Sequence, residues 1–223
     1  MPGQASGDAL VEILYGRQSP SGRLPYTVAK NAADYGSLLN PTFATAEDPQ
    51  YSQSDFTEGV FIDYRQFVQQ GITPRFPFGY GLTYSNFTYS SLSISKNSTA
   101  NFALMPPDAV NSTNKAPEGG LASLYDILAT LTVDVENSGN VTASEVAQLY
   151  IGIPNSGVSK ALRGFDKFSI APGGSVTYSF PLRRRDLSIW DVLVQQWMLQ
   201  DGTYEVYVGK SVLDIQLTGS LTL

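Results

Sequence analysis

Three acidic residues, Asp55, Glu58 and Asp63, lie close together in an aromatic stretch that reads DFTEGVFIDYRQF. Two carboxyl groups can hydrolyse a glycosidic bond when they face it at a separation of roughly 5 to 9.5 Å. The group is therefore a candidate remnant of a sugar pocket. A structural interpretation competes with it, in which Asp63 pairs with Arg65 on one strand face and the other two acids lie in a solvated loop. We favour the structural interpretation, because catalysis requires rigid elements that hold both carboxylates across one sugar.

The absence of cysteine and histidine from the 223 residues narrows the chemistry further. It excludes disulfides, a thiol nucleophile, a Ser-His-Asp triad and histidine-ligated zinc. Carboxylates, hydroxyls, lysine and tyrosine remain as catalytic groups. We expect no cofactor and no metal ion.

The formal net charge of −6 is spread along the chain without a basic stripe. A phosphate backbone would find little positive charge to contact, so we expect no nucleic-acid partner. No apolar run approaches the roughly 18 residues that a membrane-spanning helix needs, and we expect no membrane insertion.

Aromatic residues near the C-terminus offer a second candidate site for sugars. Trp190, Trp197, Tyr204 and Tyr207 could form a stacking platform for sugar rings. Single aromatic residues in a β-structure more often pack in the core or against a sheet face. We therefore treat Trp190 and Trp197 as candidate contacts for a carbohydrate or a neighbouring domain, with packing as the favoured interpretation.

Arg183, Arg184 and Arg185 form a small basic cluster just before the first tryptophan. We expect the three side chains to lie together at an edge or in a loop, where they help the chain to dock onto a neighbouring domain.

Four Asn-x-Ser/Thr sequons are present, at Asn86, Asn97, Asn111 and Asn140. They predict a secreted glycoprotein. The first residues, Met1 to Gln4, lack the basic and apolar regions of a signal peptide, so the two indications conflict.

The elements that must position these residues differ between the two parts of the sequence. The first part predicts a helix over Ala5–Tyr15, a short strand over Leu24–Thr27 and a long loop over Asn40–Ser54. Alternation of side chains over Val60–Arg65 predicts another strand. Proline, glycine and aromatic residues over Phe76–Tyr84 predict a tightly turned, aromatic-packed connection.

Beyond Leu121 the pattern is that of short strands separated by turns. Together with a strand near Leu92, about seven strands are predicted, which is typical of an immunoglobulin or fibronectin III-like antiparallel β-sandwich. Tyr204 opens a late strand at the position of a tyrosine corner. The further predicted strands lie in DILATLTVDVENSGN, SEVAQLYIGIP, LRGFDKFSIAPGG, SVTYSFPL, TYEVYVG and DIQLTGSL.

Six stretches, taken in order, resemble the carboxy-terminal third of fungal family 3 β-glucosidases. They are PGQASGDALVEILYGRQSPSGRLPYT, EGVFIDYRQF, PRFPFGYGLTYSNF, VENSGNVTASEVAQLYIG, LRGFDKFSIAPGG and RRRDLSIWDV. The resemblance implies a mainly β chain, with a small α/β remnant over 1–54, an aromatic-rich connecting segment over 55–90 and a fibronectin III-like sandwich over 91–223. The sandwich would carry a variable loop over 97–120.

The resemblance also implies where the catalytic residues of such enzymes lie. A barrel carries the nucleophilic Asp in a Ser-Asp-Trp motif, and an α/β sandwich domain carries the acid/base Glu. Ser54-Asp55-Phe56 is a near match to the first motif, but its neighbours align with the segment that joins the last two domains. The acid/base Glu would precede Met1. We therefore expect the isolated chain to be inactive, with none of its residues catalytic.

Three functional hypotheses follow. The first is a non-catalytic accessory part of a secreted enzyme that hydrolyses terminal β-D-glucosyl residues, with the missing catalytic domains as partner. Phe76–Tyr84 would then pack the sandwich onto those domains, and its exposure without them would favour self-association. The second is a free-standing truncated protein that binds a carbohydrate or a protein partner through the sandwich. The third is a small active enzyme that uses Asp55, Glu58 or Asp63.

Overall fold

The computed structural model describes residues 3–39, 42–47, 49–52, 55–109 and 118–223. Nine β-strands carry most of the regular structure within these described residues. All the strand pairs among them are antiparallel, which confirms the predicted mainly β fold. The strands are β1 Phe87–Lys96, β2 Ile127–Asn137, β3 Ala143–Gly152, β4 Ala161–Ile170, β5 Ser175–Arg183, β6 Ser188–Asp191, β7 Gln196–Leu199, β8 Thr203–Gly209 and β9 Ile215–Thr222.

Two sheets form the sandwich. One has the strand order β1-β2-β5 and the other has the order β4-β3-β8-β9. Along β2 the side chains of Leu131, Val133 and Val135 alternate inward and are fully buried, where they join Leu149 and Val206 of the second sheet in one apolar core. This alternation is the period-two pattern that a half-buried antiparallel strand requires. The six strands predicted beyond Leu121 and the strand near Leu92 are confirmed.

Strand β3 is buried on both faces. Its inward side chains, among them Leu149, belong to the sandwich core, whereas Tyr150 faces a second, smaller cluster outside the sheet. That cluster includes Tyr64, the first residue of helix α2 (Tyr64–Gln70). Its ring stacks on Phe78 at a ring-centroid distance of 4.5 Å and meets Tyr150 edge-on at 6.2 Å. The connecting segment thus covers the outer face of the four-stranded sheet.

Helix α2 occupies Tyr64–Gln70, where the sequence predicted part of a strand over Val60–Arg65. Asp63, at φ 52° and ψ −131°, turns the chain into the helix, and the left-handed Gly71 ends it. The strand prediction is wrong because six alternating residues form too short a pattern to separate a strand from a turn followed by a helix.

The first segment contains helix α1 over Ser6–Leu14 and 3₁₀ turns over Ala32–Leu39, which a kink at Gly36 divides in two. The strand predicted over Leu24–Thr27 is wrong. The backbone N–H of Leu24 donates to the Tyr80 carbonyl, and the N–H of Gly79 donates to the Leu24 carbonyl, both at 2.8 Å. A single antiparallel bridge joins Val28 to Phe76. Proline and glycine turn the facing chain away, so no ladder continues.

A short hairpin of β6 and β7, which we call the tryptophan hairpin (Ser188–Leu199), was not predicted. The 3₁₀ helix Arg184–Leu187 leads directly into it. Part of the predicted variable loop is tied to this region, since the N–H of Leu199 donates to the Leu104 carbonyl at 2.9 Å. The rest of that loop, over 110–117, lies outside the described residues. Within the described ranges, no helix is long and apolar enough to cross a bilayer.

Candidate functional site

The three acidic residues near the start of the connecting segment lie in different surroundings. Both carboxylate oxygens of Asp63 accept hydrogen bonds from Thr27, at 2.9 Å from its backbone N–H and at 3.0 Å from its hydroxyl. Arg65 donates to the Val60 carbonyl at 3.4 Å, so the predicted Asp63–Arg65 pair is wrong. Asp55 is exposed and Glu58 is half-buried. Asp63 therefore holds the first segment in place, and it does so through Thr27.

A fourth carboxylate, Glu145 on β3, was missed by the sequence analysis and is almost completely buried. One of its oxygens accepts a hydrogen bond from Arg23 Nη2 at 2.6 Å, and the other accepts one from the Tyr89 hydroxyl at 2.7 Å. Burial raises the pKa of Glu145, and the charge of Arg23 opposes that rise. Burial also raises the pKa of the Tyr89 hydroxyl far above its usual range.

The signal for this residue was present in the sequence. Glu145 stands between Ala143 and Ala147 on the inward face of a strand that is otherwise apolar on that face. A charge at such a position requires a buried partner. Since two donors already occupy its oxygens, the group is suited to joining the first segment to the sandwich.

Two of the four candidate aromatic residues form a pair, and the other two are elsewhere. Trp190 and Trp197 lie directly opposite each other on the tryptophan hairpin, edge-to-face at 5.7 Å, and Trp190 is 44% exposed. Tyr204 is buried in the core, where its hydroxyl donates to the Gln200 carbonyl at 2.9 Å and accepts from the Gln200 N–H at 2.8 Å. This geometry confirms the predicted tyrosine corner. Tyr207 lies under Lys160, at 5.1 Å, so the four residues do not form one platform.

The three consecutive arginines point to different surroundings. Arg184 is buried and donates to the backbone carbonyls of Ala103, at 2.7 Å, and Asn101. Arg183 lies over the ring of Tyr125, and Arg185 lies over the ring of Trp197 at 5.1 Å. The expectation of one exposed basic cluster is therefore wrong, because the 3₁₀ helix directs successive side chains to different sides.

A cavity of about 540 Å³ separates the connecting segment from the tryptophan hairpin. We call it the arginine–tryptophan cavity after the lining residues Arg65, Arg163, Arg185, Trp190 and Trp197. The enclosed Nε of Arg163 has no hydrogen-bond partner in the described part of the chain. Burial lowers the pKa of Arg163, and the charges of Arg65 and Arg185 lower it further.

Asp186 is the acidic residue that lines the same cavity, and it moderates this positive charge without neutralising it. Its carboxylate accepts a hydrogen bond from the backbone N–H of Arg183 at 2.9 Å. Elsewhere, no group of three or more acidic, histidine or cysteine side chains is placed to hold a metal ion within the residues that the structure describes.

Three of the four predicted glycosylation sites can be located. Asn86, Asn97 and Asn140 are all exposed. The side-chain amide of Asn97 donates to the Ile127 carbonyl at 3.0 Å, and its oxygen accepts from Thr99. Asn111 lies outside the described residues.

Two family models match the chain. The Glycosyl hydrolase family 3 C-terminal domain matches residues 1–84, and the Fibronectin type III-like domain matches residues 145–212. The two matches contain the Arg23 and Glu145 ends of the buried ion pair, respectively.

Curated relatives resemble the chain along its whole length. A "Probable beta-glucosidase M" from Aspergillus flavus is 53% identical over 223 residues, and one from Aspergillus niger is 52% identical over the same length. In each case the match covers 100% of this chain and 28% of the relative. The chain thus spans less than a third of the length of the curated relatives that it matches.

Solved structures give the same result for the fold. Beta-D-glucoside glucohydrolase from Trichoderma reesei superposes with a TM-score of 0.83 at 43% identity, over 99% of this chain and 29% of that one. A Glycoside Hydrolase Family 3 beta-glucosidase from Neurospora crassa has a TM-score of 0.86 at 30% identity, over 99% of this chain and 34% of that one. The chain therefore belongs to glycosyl hydrolase family 3 and corresponds to a C-terminal portion of its β-glucosidases.

Proposed function

We propose that the chain is the non-catalytic, structural part of a β-glucosidase and that it docks onto the catalytic remainder of such an enzyme. One observation carries this proposal. Among the side chains whose burial the structure describes before Tyr64, which leaves out residues 1, 2, 37–41, 48, 53 and 54, no hydrophobic one is buried. A segment with helices but no buried apolar side chain of its own needs a partner to cover it.

Helix α1 is the clearest part of this uncovered segment. Leu10 and Leu14 lie one turn apart on the same face, and Leu14 is 68% exposed. Tyr15, at the end of the helix, is 79% exposed. A helix of nine residues is marginal in water by itself, so tertiary packing against another surface must supply its stability.

The same proposal includes secretion of the enzyme. The exposed sequons at Asn86, Asn97 and Asn140 support it, because glycan addition requires an accessible asparagine. Fungal β-glucosidases are the relatives that the chain matches. The proposed substrates of the complete enzyme are terminal β-D-glucosyl residues of oligosaccharides.

Complementation in trans tests this proposal. The N-terminal remainder of the Aspergillus niger relative, which this chain does not match, is produced separately and mixed with the purified chain. Hydrolysis of a chromogenic aryl β-glucoside is then measured for each part and for the mixture. We expect the mixture to show activity that neither part shows alone. A Leu10→Asp/Leu14→Asp double variant should fail to complement, because it places charge on the docking face of α1.

An opposite outcome is equally measurable. Turnover by the isolated chain that disappears in a Glu58→Gln variant would show that the chain is itself an enzyme. Complementation that survives the double variant at full strength would place the docking surface away from α1.

The alternative of a free-standing binding protein is favoured by one specific feature, the arginine–tryptophan cavity. Its lining combines three cations with two aromatic rings.

A further inference from the structure

We propose that the arginine–tryptophan cavity binds an acidic sugar, that is, a uronic acid residue of an oligosaccharide. The arginines hold its carboxylate, and the tryptophan hairpin contacts its ring. This inference goes beyond the proposed structural role and does not depend on it, since residues of this chain alone line the cavity.

The charge of the cavity selects an anion. Three arginines and one aspartate line it, which gives an excess of two positive charges. Within the described residues, the ion pairs closer than 4.0 Å are Arg17–Glu12 and Arg23–Glu145, so none of the cavity arginines is neutralised by a direct carboxylate contact. Arginine side chains that are partly removed from water and lack an anionic partner attract one from solution.

The geometry of arginine selects a carboxylate among anions. A guanidinium group presents its N–H donors in a planar fork that matches the two oxygens of a carboxylate. Arg163 contributes an enclosed Nε without a partner, and Arg65 spends one donor on a long, 3.4 Å bond to the Val60 carbonyl. Donor capacity for a bidentate contact is therefore present on the walls of the cavity.

The aromatic wall selects a ring. Trp190 is 44% exposed and stands edge-to-face against Trp197, while the guanidinium of Arg185 lies 5.1 Å from the centre of the Trp197 ring. Tryptophan presents a large and rigid apolar surface next to a polar edge, which suits a ring with both apolar and hydroxyl-bearing faces. Because the Arg185 cation is seated on Trp197, the anion-binding and ring-binding groups are adjacent.

The size of the cavity suits a small ligand or one residue of a longer chain. Its volume of about 540 Å³ lies within the roughly 300–1,000 Å³ of small-molecule sites. Strands β4, β6 and β7 and the 3₁₀ helix Arg184–Leu187 supply most of the functional side chains, so ordered elements hold the site in position.

Tryptophan fluorescence provides a direct test, since Trp190 and Trp197 are the two tryptophans of the protein. The full chain is titrated with methyl β-D-glucuronide and, separately, with methyl β-D-glucoside, which differ in a carboxylate against a hydroxymethyl group. We expect saturable quenching by the glucuronide and binding at least about tenfold weaker for the glucoside, because the charge-assisted hydrogen bonds are lost. Added salt should weaken glucuronide binding.

Neighbouring arginines supply matched variants. Arg185→Gln and Arg163→Gln should each weaken glucuronide binding by about tenfold or more. Arg183→Gln removes the same charge from the same triplet at a residue that faces Tyr125, and should leave binding unchanged. Circular dichroism and the unfolding midpoint of each variant establish that it is folded.

Several results would overturn the inference. Equal responses to glucuronide and glucoside would show a neutral sugar site, and an equal response to sodium sulfate would show a general anion site. No saturable response at all would show that the cavity is not a site for this ligand. Failure of the acidic-sugar inference can be told from failure of the proposed structural role, because Arg185→Gln should still complement the catalytic remainder.

Discussion

Glu145 is a carboxylate that folding withdraws from water, and its partners come from distant parts of the chain. Arg23 belongs to the first segment and Tyr89 belongs to β1. Removing one member of a buried ion pair leaves the other charge uncompensated, which typically costs about 3–5 kcal/mol. At the scale of single residues, this contact is the strongest link that we identify between the two parts of the chain.

We predict that Arg23→Met destabilises the fold by about 3–5 kcal/mol at neutral pH and by less at lower pH. Burial already raises the pKa of Glu145, and losing the arginine raises it further. The folded variant therefore binds a proton that the unfolded chain releases, so its stability increases as the pH falls toward the unfolded pKa. Urea unfolding at neutral pH and near pH 5 measures the difference.

The control for this prediction is the exposed pair of Arg17 and Glu12, which has a similar N–O distance of 3.0 Å. Arg17→Met should cost about 0–1 kcal/mol at either pH, because water screens the pair. Equal losses of unfolding free energy in Arg23→Met and Arg17→Met would show that burial does not strengthen the Arg23–Glu145 ion pair.

The tyrosine corner allows a second prediction at this scale. Tyr204→Phe should destabilise the sandwich by about 1–3 kcal/mol, since it leaves the partly buried N–H and carbonyl of Gln200 without their hydroxyl partner. Tyr207→Phe, on the same strand, removes a hydroxyl that makes no hydrogen bond within the described residues and should have little effect. Denaturant midpoints of the two variants make the comparison, and coinciding midpoints would contradict it.

At the scale of elements, the connecting segment lies on the outer face of the four-stranded sheet. Gln148, on β3, donates through Nε2 to the carbonyls of Gly79, at 3.0 Å, and Lys210, at 2.7 Å. Its own oxygen accepts from the Tyr150 hydroxyl at 2.6 Å. One buried amide thus joins the segment, the sheet and the β8–β9 turn.

Gly79→Ala should break this junction. The residue has φ 81°, and a Cβ added to it would meet the side-chain amide of Gln148. Gly173→Ala is the matched control, because Gly173 has φ 70° and open space around it, so the variant bears only the conformational cost of about 1–2 kcal/mol. We expect Gly79→Ala to cost about 1–3 kcal/mol more, through overpacking.

Thermal unfolding of the two glycine variants measures this difference. Limited proteolysis should also cleave the connecting segment of Gly79→Ala faster than that of Gly173→Ala. Matching stabilities would indicate that the Gln148 side chain can move aside without loss.

Alternation of apolar residues made the sandwich strands predictable, as in β2, because burial on one face leaves a period-two pattern in the sequence. The same reasoning failed over Val60–Arg65, where the six alternating residues include Asp63, at positive φ, and the first two residues of a helix. It also could not tell Arg184 from its two neighbours, since only the turn of the 3₁₀ helix decides which arginine is buried.

The candidate sites were less predictable than the fold. Trp190 and Trp197 were identified from residue type, but their cavity brings in Arg163 from β4 and Arg65 from the start of α2. Contacts between residues so distant in sequence depend on how the sheets and the connecting segment pack, and no local pattern records them. Glu145 was also missed, although an acid on an apolar strand face was visible in the sequence.

At the scale of the whole molecule, apolar surface is unevenly distributed. The core of the sandwich is well buried, whereas the first segment exposes Leu10 and Leu14 on one face of α1 and Tyr15 at its end. Exposed apolar side chains of this kind favour association with another protein surface, including a second copy of the same chain.

We predict that the purified chain self-associates at high concentration and that Leu14→Asp weakens this association. Sedimentation velocity over a series of protein concentrations measures it. Ser220→Asp, at an exposed polar residue of β9, introduces the same charge without removing an apolar side chain and should have no comparable effect. A monomeric wild-type chain, or an equal effect of both variants, would contradict the prediction.

The connecting segment is held by residues that are synthesised long after it. The Phe78 carbonyl accepts a hydrogen bond from the N–H of Val212. The Gly79 carbonyl accepts one from Gln148 Nε2, which also donates to the Lys210 carbonyl. On a translating ribosome the segment therefore emerges before the residues that its aromatic side chains pack against. It can dock only after the sandwich has folded. Its docking is a late step of biogenesis, during which chaperones have access to this part of the nascent chain.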